Sequence, residues 1–211
     1  MTDITGGAPP AVHPRRIRRV KTSSPVRALI LVAAVALAAT PGCKSKPKEP
    51  DVRSVIEDLK SGDEEKRGRA NLDIWASGED ARKYVPELIV MLQGPEPAHR
   101  AQAAATLYGM GARGSEAVPA LGVLLSDPDK ELRIAAAMAL ETIGPAAAEA
   151  VPALIKALKD PEGRVRQRAA IALGNIGPAA RSAVPALAEA AKWDPVRGAA
   201  EEAIRKIGGK R

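Results

Sequence analysis

From residue 51 onward the apolar positions fall into short stripes at helical spacing, separated by turn residues. Val151, Leu154, Ile155 and Leu158 recur at intervals of three and four, with Pro152 near the start, where a missing N–H costs a helix nothing. This predicts a helix from Val151 through Lys159. Asp160-Pro161 then reads as an N-cap followed by a proline at the first helical position, with Glu162 complementing the helix dipole. Val165, Ala169, Ala172, Leu173 and Ile176 form a second stripe, and Gly177-Pro178 stops it. The same punctuation, Asp127-Pro128 and Gly144-Pro145, precedes it.

The pattern is periodic. Val85-Pro86-Glu87-Leu88, Val118-Pro119-Ala120-Leu121, Val151-Pro152-Ala153-Leu154 and Val184-Pro185-Ala186-Leu187 each stand 33 residues after the last, and Val52-Arg53-Ser54-Val55 precedes them without the proline. Gly78, Gly111, Gly144 and Gly177 keep this period, as do Arg67, Arg100, Arg133 and Arg166. Each unit reads as two helices, neither of which covers its own apolar face, so the units must stack side by side. Alanine at the contacts lets axes approach to about 8 to 10 Å.

The run Val165-Arg166-Gln-Arg-Ala169-Ala170-Ile-Ala172-Leu173-Gly174-Asn-Ile176-Gly177 resembles the second helix of the HEAT repeat, in particular the compact HEAT-like form of phycobilisome lyase-type proteins. Leu132-Arg133 to Ile143-Gly144 follows it with Glu141 in place of the inner glycine, and the two earlier units follow it more loosely. In the last unit Asp194-Pro195-Val196-Arg197 lacks three residues before Val196. The resemblance implies an all-α fold, a right-handed α-solenoid of the armadillo/HEAT type. About five two-helix repeats are expected, near 51–82, 83–115, 116–148, 149–181 and 182–211.

The first 42 residues read differently. Arg15, Arg16, Arg18, Arg19, Lys21 and Arg27 precede an apolar run from Ala28 to Ala39. Twelve residues at about 1.5 Å each reach roughly 18 Å, short of a hydrocarbon core of ~30 Å, so residues 1–42 read as an export signal rather than a span. The run ends in Thr40-Pro41-Gly42-Cys43, and Cys43 is the single cysteine. Gly42-Cys43 resembles the bacterial lipoprotein box, which implies lipidation of Cys43 and a membrane anchor there; Thr40 and Pro41 depart from that pattern. An ordinary export signal cut near Ala36-Leu37-Ala38 is the alternative. Lys44 after the cysteine lacks the Asp that often retains such proteins at an inner membrane, which favours the outer membrane of an exported, envelope-bound protein. Residues 43–50, with Pro47 and Pro50, make a polar tether.

Composition sharpens this picture. The chain of 211 residues has no Phe, two Trp and two Tyr, so its core rests on small side chains, suiting helix-on-helix packing over sheets. A net charge of +7 suggests a polyanion partner until it is located. Six Lys/Arg against Asp3 lie in residues 1–42, and Lys44, Lys46 and Lys48 against Glu49 lie in the tether; residues 51–211 keep 23 basic and 23 acidic residues. The repeat array is neutral, and nucleic acid is set aside as a partner. The tether lysines suit anionic headgroups.

Candidate chemistry is sparse. His99 is the one histidine of the repeats, no His-Glu pair occurs, and one cysteine excludes a thiolate-rich metal site. No cofactor, metal, small-molecule ligand or catalytic set is expected. The resemblance implies that Asp127, Arg133, Asp160 and Arg166 form a structural ladder in which Asp and Arg pair across neighbouring units. It also implies that the second helices line a concave groove. Their leftover positions include Arg69, Leu72, Gln102, Met138, Arg164, Arg168, Ile171 and Asn175, with Arg164 and Arg168 giving one basic end. Trp75 and Tyr108 share a register with Gly174, either beside the groove or filling a junction. The expected function is a lipid-anchored scaffold holding a protein partner in that groove; a lyase-like or other enzyme-auxiliary factor and a purely structural envelope component are the alternatives.

Overall fold

A computed structural model describes residues 51–209 of the chain. The leader, Cys43 and the tether lie outside the described residues. Ten α-helices occur among the described residues, in five successive pairs: α1 (Val52–Lys60) with α2 (Glu64–Ala76), α3 (Val85–Gln93) with α4 (Pro97–Met110), α5 (Val118–Leu124) with α6 (Lys130–Ile143), α7 (Val151–Ala157) with α8 (Gly163–Ile176), and α9 (Val184–Ala190) with α10 (Asp194–Ile207). No strand occurs among these residues. The first helices are shorter than the sequence suggests, since α7 closes at Ala157 rather than Lys159.

Between units the chain does not simply stop and restart. α4, α6 and α8 each end on a glycine with positive φ, Gly111 at 57°, Gly144 at 67° and Gly177 at 74°, a conformation that a Cβ would disfavour, and Gly78 at 58° stands two residues past the end of α2. A 3-10 turn of seven residues follows each time, at Gly78–Tyr84, Gly111–Ala117, Gly144–Ala150 and Gly177–Ala183. Pro145 and Pro178 lie inside these turns, where φ suits them. Their alanines are buried: Ala117, Ala150 and Ala183 pack into the core, and Tyr84 takes the same register in the first turn with its hydroxyl enclosed and without a hydrogen-bond partner.

The second helices carry the stack. α4, α6, α8 and α10 pack against one another far more extensively than α3, α5 and α7 do, so they form the close-spaced row. Ala103, Ala104, Ala136, Ala137, Ala169, Ala170, Ala200 and Ala203 are buried there. A Cβ on Gly174 would lie 2.9 Å from the Ala203 Cα, so backbone meets backbone at the last junction. At the first, a Cβ on Gly109 would fall inside the Trp75 indole, whose Nε1 donates to the Thr106 carbonyl at 3.1 Å. Trp75 therefore fills a junction, and Gly109 makes room for it.

Two rows of polar contacts edge this stack. At the helix–helix loops the Asp-Pro pair is not the cap predicted from sequence. α6 and α8 begin two residues later, capped by Asp129 and Glu162, whose carboxylates accept the Glu131 and Arg164 N–H groups. The Asp127 and Asp160 Oδ1 atoms instead accept the backbone N–H of Asp129 at 2.9 Å and of Glu162 at 2.8 Å, shaping the turn. Their remaining capacity goes across the junction. Arg133 grips Asp160 through Nε at 2.8 Å and Nη2 at 3.0 Å, while Arg100 Nη2 reaches Asp127 at 3.3 Å. The Asp160 hydrogen bond raises the Arg133 pKa further, outweighing the cost of burial. Among the described residues Arg166 has no carboxylate partner, so the ladder is Arg100–Asp127 and Arg133–Asp160 rather than a row through all four expected residues.

The second row lies at the helix C-termini, where the last carbonyls lack intrahelical donors. Thr142 Oγ1 donates to the Tyr108 carbonyl at 2.9 Å and Asn175 Nδ2 to the Glu141 carbonyl at 3.1 Å. Gly109 occupies this register at the first junction, where Trp75 supplies the bond from the other side.

Three substitutions probe these junctions in the full chain. Asp160→Ala strands a guanidinium whose side chain is only 12% exposed and should cost about 2 to 4 kcal/mol in urea unfolding followed by circular dichroism. Asp127→Ala, which loses one longer contact, should cost about half that; equal losses would contradict the ranking. Gly109→Ala should destabilise by about 1 to 3 kcal/mol through overpacking. In a Trp75→Ala background the same change should turn neutral or stabilising, by up to about 1 kcal/mol, since alanine then only improves helix propensity.

Candidate functional site

The outward face of the second helices divides into two halves of different chemistry. In the first two units it is apolar and aromatic. Leu72 is 52% exposed and Trp75 and Tyr108 are 37% and 43% exposed, with Ala76, Ala101 and Ala105 exposed around them. Trp75 and Tyr108 occupy equivalent positions on α2 and α4, and the Trp75 bond to the Thr106 carbonyl joins the two helices beneath them. The Thr106 hydroxyl, itself buried, donates to Asn71 Oδ1 at 2.7 Å and fixes the same pair. The aromatic rings thus stand on a rigid base.

From the third unit on the face is polar and internally satisfied. Arg168 Nη1 reaches Glu141 at 3.1 Å and Arg164 stands 3.9 Å from Glu131. Asn175 Oδ1 accepts from Lys206 Nζ at 3.0 Å. The basic end expected at Arg164 and Arg168 is therefore neutralised by glutamates of the preceding unit. Met138 and Ile171 are half-buried, and Met138 packs against the core. Of the expected groove residues, Leu72 alone presents a large exposed apolar side chain. Arg69 is exposed and pairs with Glu65 of its own helix at 3.3 Å, and Gln102 is half-buried. Reading the register shows which residues point outward, Glu131 among them; it does not disclose that Glu131 and Glu141 pair with Arg164 and Arg168, 33 and 27 residues away.

Chemistry elsewhere is limited. No group of three or more His, Cys, Asp and Glu side chains suited to a metal occurs among the described residues. His99 is half-buried near the start of α4, beside Arg67 in an open hollow with Ser61 and Gln102. A cavity of about 350 Å³ lies between the fourth and fifth units, lined by Leu158, Asp160, Arg166, Ala186, Ala190 and Trp193 among others.

Comparison with known proteins agrees with this architecture. A family model described as HEAT repeats matches residues 85–149 and 118–205, together more than half of the chain. No curated protein matches. Among solved structures, an engineered protein from a structural genomics programme is 25% identical with a TM-score of 0.52, covering 75% of this chain and 80% of that one. The complex of CpcE and CpcF of phycocyanin lyase from Nostoc sp. PCC7120 is 20% identical, with a TM-score of 0.59 over 72% of this chain and 96% of that one. A designed armadillo repeat protein in complex with the peptide (KR)4 is 18% identical, with a TM-score of 0.57 over 74% of this chain and 81% of that one. The latter two carry the fold alone. With its 33-residue period, its paired helices and the extent of the family match, the chain belongs to the HEAT-repeat family.

Proposed function

We propose that this protein is a non-enzymatic adaptor, lipid-anchored through Cys43 in the cell envelope, that holds a protein partner on the second-helix face of its first two units. The observation that carries this reading is the exposed apolar group of Leu72, Trp75 and Tyr108, set on a face that is otherwise closed by its own ion pairs. Aromatic side chains with a fixed base lose little entropy on binding and are the usual anchors of interfaces. Support also comes from the neutrality of the array, whose residues 51–211 carry 23 basic and 23 acidic side chains. In the designed armadillo relative a peptide accompanies the repeat protein, which is the kind of occupant proposed here. Anchoring and outer-membrane placement rest on Gly42-Cys43 and Lys44.

Photo-crosslinking groups placed at Leu72 and Tyr108 should trap a discrete partner in intact cells, while one placed at Ile171 should not. Leu72→Glu with Tyr108→Glu should abolish the adduct formed from a probe at Ala105 without changing helicity. An unchanged adduct would move the interface elsewhere. For the anchor, metabolic labelling with an alkyne fatty acid should mark the wild-type chain and leave Cys43→Ala unlabelled and released from membranes; release without any labelling of the wild type would overturn lipidation.

A further inference from the structure

The ladder arginines are built alike, and one of them stands over an empty slot. Arg100 Nη1 donates to the Gly94 and Pro95 carbonyls at 3.0 Å, and Arg133 Nη1 donates to the Asp127 and Pro128 carbonyls at 2.8 and 3.1 Å. Arg166 Nη1 makes the same two bonds, to the Asp160 and Pro161 carbonyls at 2.7 and 3.0 Å. This pinning turns the opposite edge of each guanidinium, Nε and Nη2, toward the next unit. For Arg133 that edge meets Asp160 as a two-pronged pair. For Arg166 it meets no carboxylate, and its Nε is buried without a hydrogen-bond partner. An enclosed Nε is not sufficient by itself, because the Arg100 Nε is likewise unpartnered while its Nη2 reaches Asp127. Only Arg166 combines it with an open Nη2.

The cause lies in the last unit. Counting from the first helix, the residue that should supply the aspartate is Trp193, which is 64% exposed. The neighbouring Asp194 already belongs to α10 and pairs with its own Arg197 at 3.0 Å. The space left open is the cavity of about 350 Å³, walled by Leu158, Ala186, Ala190 and the Trp193 ring around Arg166. Two acidic residues border it, and both are engaged. Asp160 is held by Arg133, and Glu189 by Lys192 at 2.8 Å. The other arginine facing a missing aspartate, Arg67 opposite Gly94, opens on a hollow lined by Leu59, Ala98, Ala101 and Ala105 but by no indole ring.

We propose that this slot takes an aspartate side chain from a partner polypeptide, presented on an Asp-Pro turn like the chain's own at residues 127–128 and 160–161. The carboxylate completes the Arg166 edge as Asp160 completes that of Arg133, and an adjacent apolar residue packs on Trp193. A carboxylate is the acceptor that matches a guanidinium edge in two-pronged geometry. The site is distinct from the Leu72–Tyr108 face, so either stands if the other fails.

The test is calorimetric titration of the full chain with the peptide acetyl-Leu-Lys-Asp-Pro-Glu-amide, the sequence of residues 158–162. Saturable binding in the millimolar range is expected, weakened about tenfold or more when the peptide Asp is replaced by Asn. Arg166→Gln should lose binding to the same extent with helicity unchanged. Trp193→Asp, which supplies the missing carboxylate internally, should raise the thermal midpoint and exclude the peptide, and it serves where Arg166→Gln does not fold. Equal binding of the Asn peptide, binding that survives Trp193→Asp, or sodium acetate binding as tightly as the peptide would each overturn the proposal.

Discussion

A unit of two short helices cannot bury its own apolar stripes, and everything else in this protein follows from how closely the next unit must approach to cover them. The approach is set by alanine. With Ala103, Ala136, Ala169 and Ala200 at equivalent buried positions, the second helices come near enough for backbone to meet backbone, as Gly174 does with Ala203. A side chain as large as Phe has no place in such a row, and the chain contains none. Dispersion over many small contacts replaces the large buried rings of an ordinary core.

Close approach also fixes the edges. Once the row has one spacing, polar groups a constant distance apart in sequence meet wherever both are present. A donor at the Thr142 or Asn175 position finds the last carbonyls of the preceding helix, and Arg100 and Arg133 find Asp127 and Asp160 of the next loop. These bonds specify register more than they add stability, because a slip of one helical turn would leave a half-buried guanidinium and orphaned helix-end carbonyls. The alanine row by itself has little to resist such a slip, since one small side chain packs much like another.

This explains what the sequence discloses and what it conceals. The period, the helix pairs and the glycine ending each second helix are legible because each depends on residues within one unit. The Asp-Pro pair misleads as a cap because the Asp160 carboxylate is shared between the Glu162 N–H and an arginine 27 residues earlier, leaving the cap to Glu162. The 3-10 turns hide for a related reason: glycine and proline announce the end of a helix, while the burial of Ala147 and Ala180 inside the turn depends on the neighbouring units. Met138 and Ile171 read as groove residues by register, yet how far the adjacent helix overlaps them is a tertiary quantity. The same holds for Arg164 and Arg168, whose opposing glutamates lie on the preceding second helix.

Among the described residues the stack is uniform in its middle units and irregular in its outer ones. The residues that break the pattern collect there. Trp75, Tyr84 and Tyr108 lie in the first two units and Trp193 in the last, accounting for every aromatic side chain of the chain. The ladder aspartate is likewise present at the two central junctions and replaced by Gly94 and Trp193 at the outer ones. The repeat pattern does not account for an indole seated on a glycine or an arginine left facing a cavity with apolar walls. Individual chemistry in this array therefore resides where the repeat departs from itself, and the central units hold the two departures at a fixed separation.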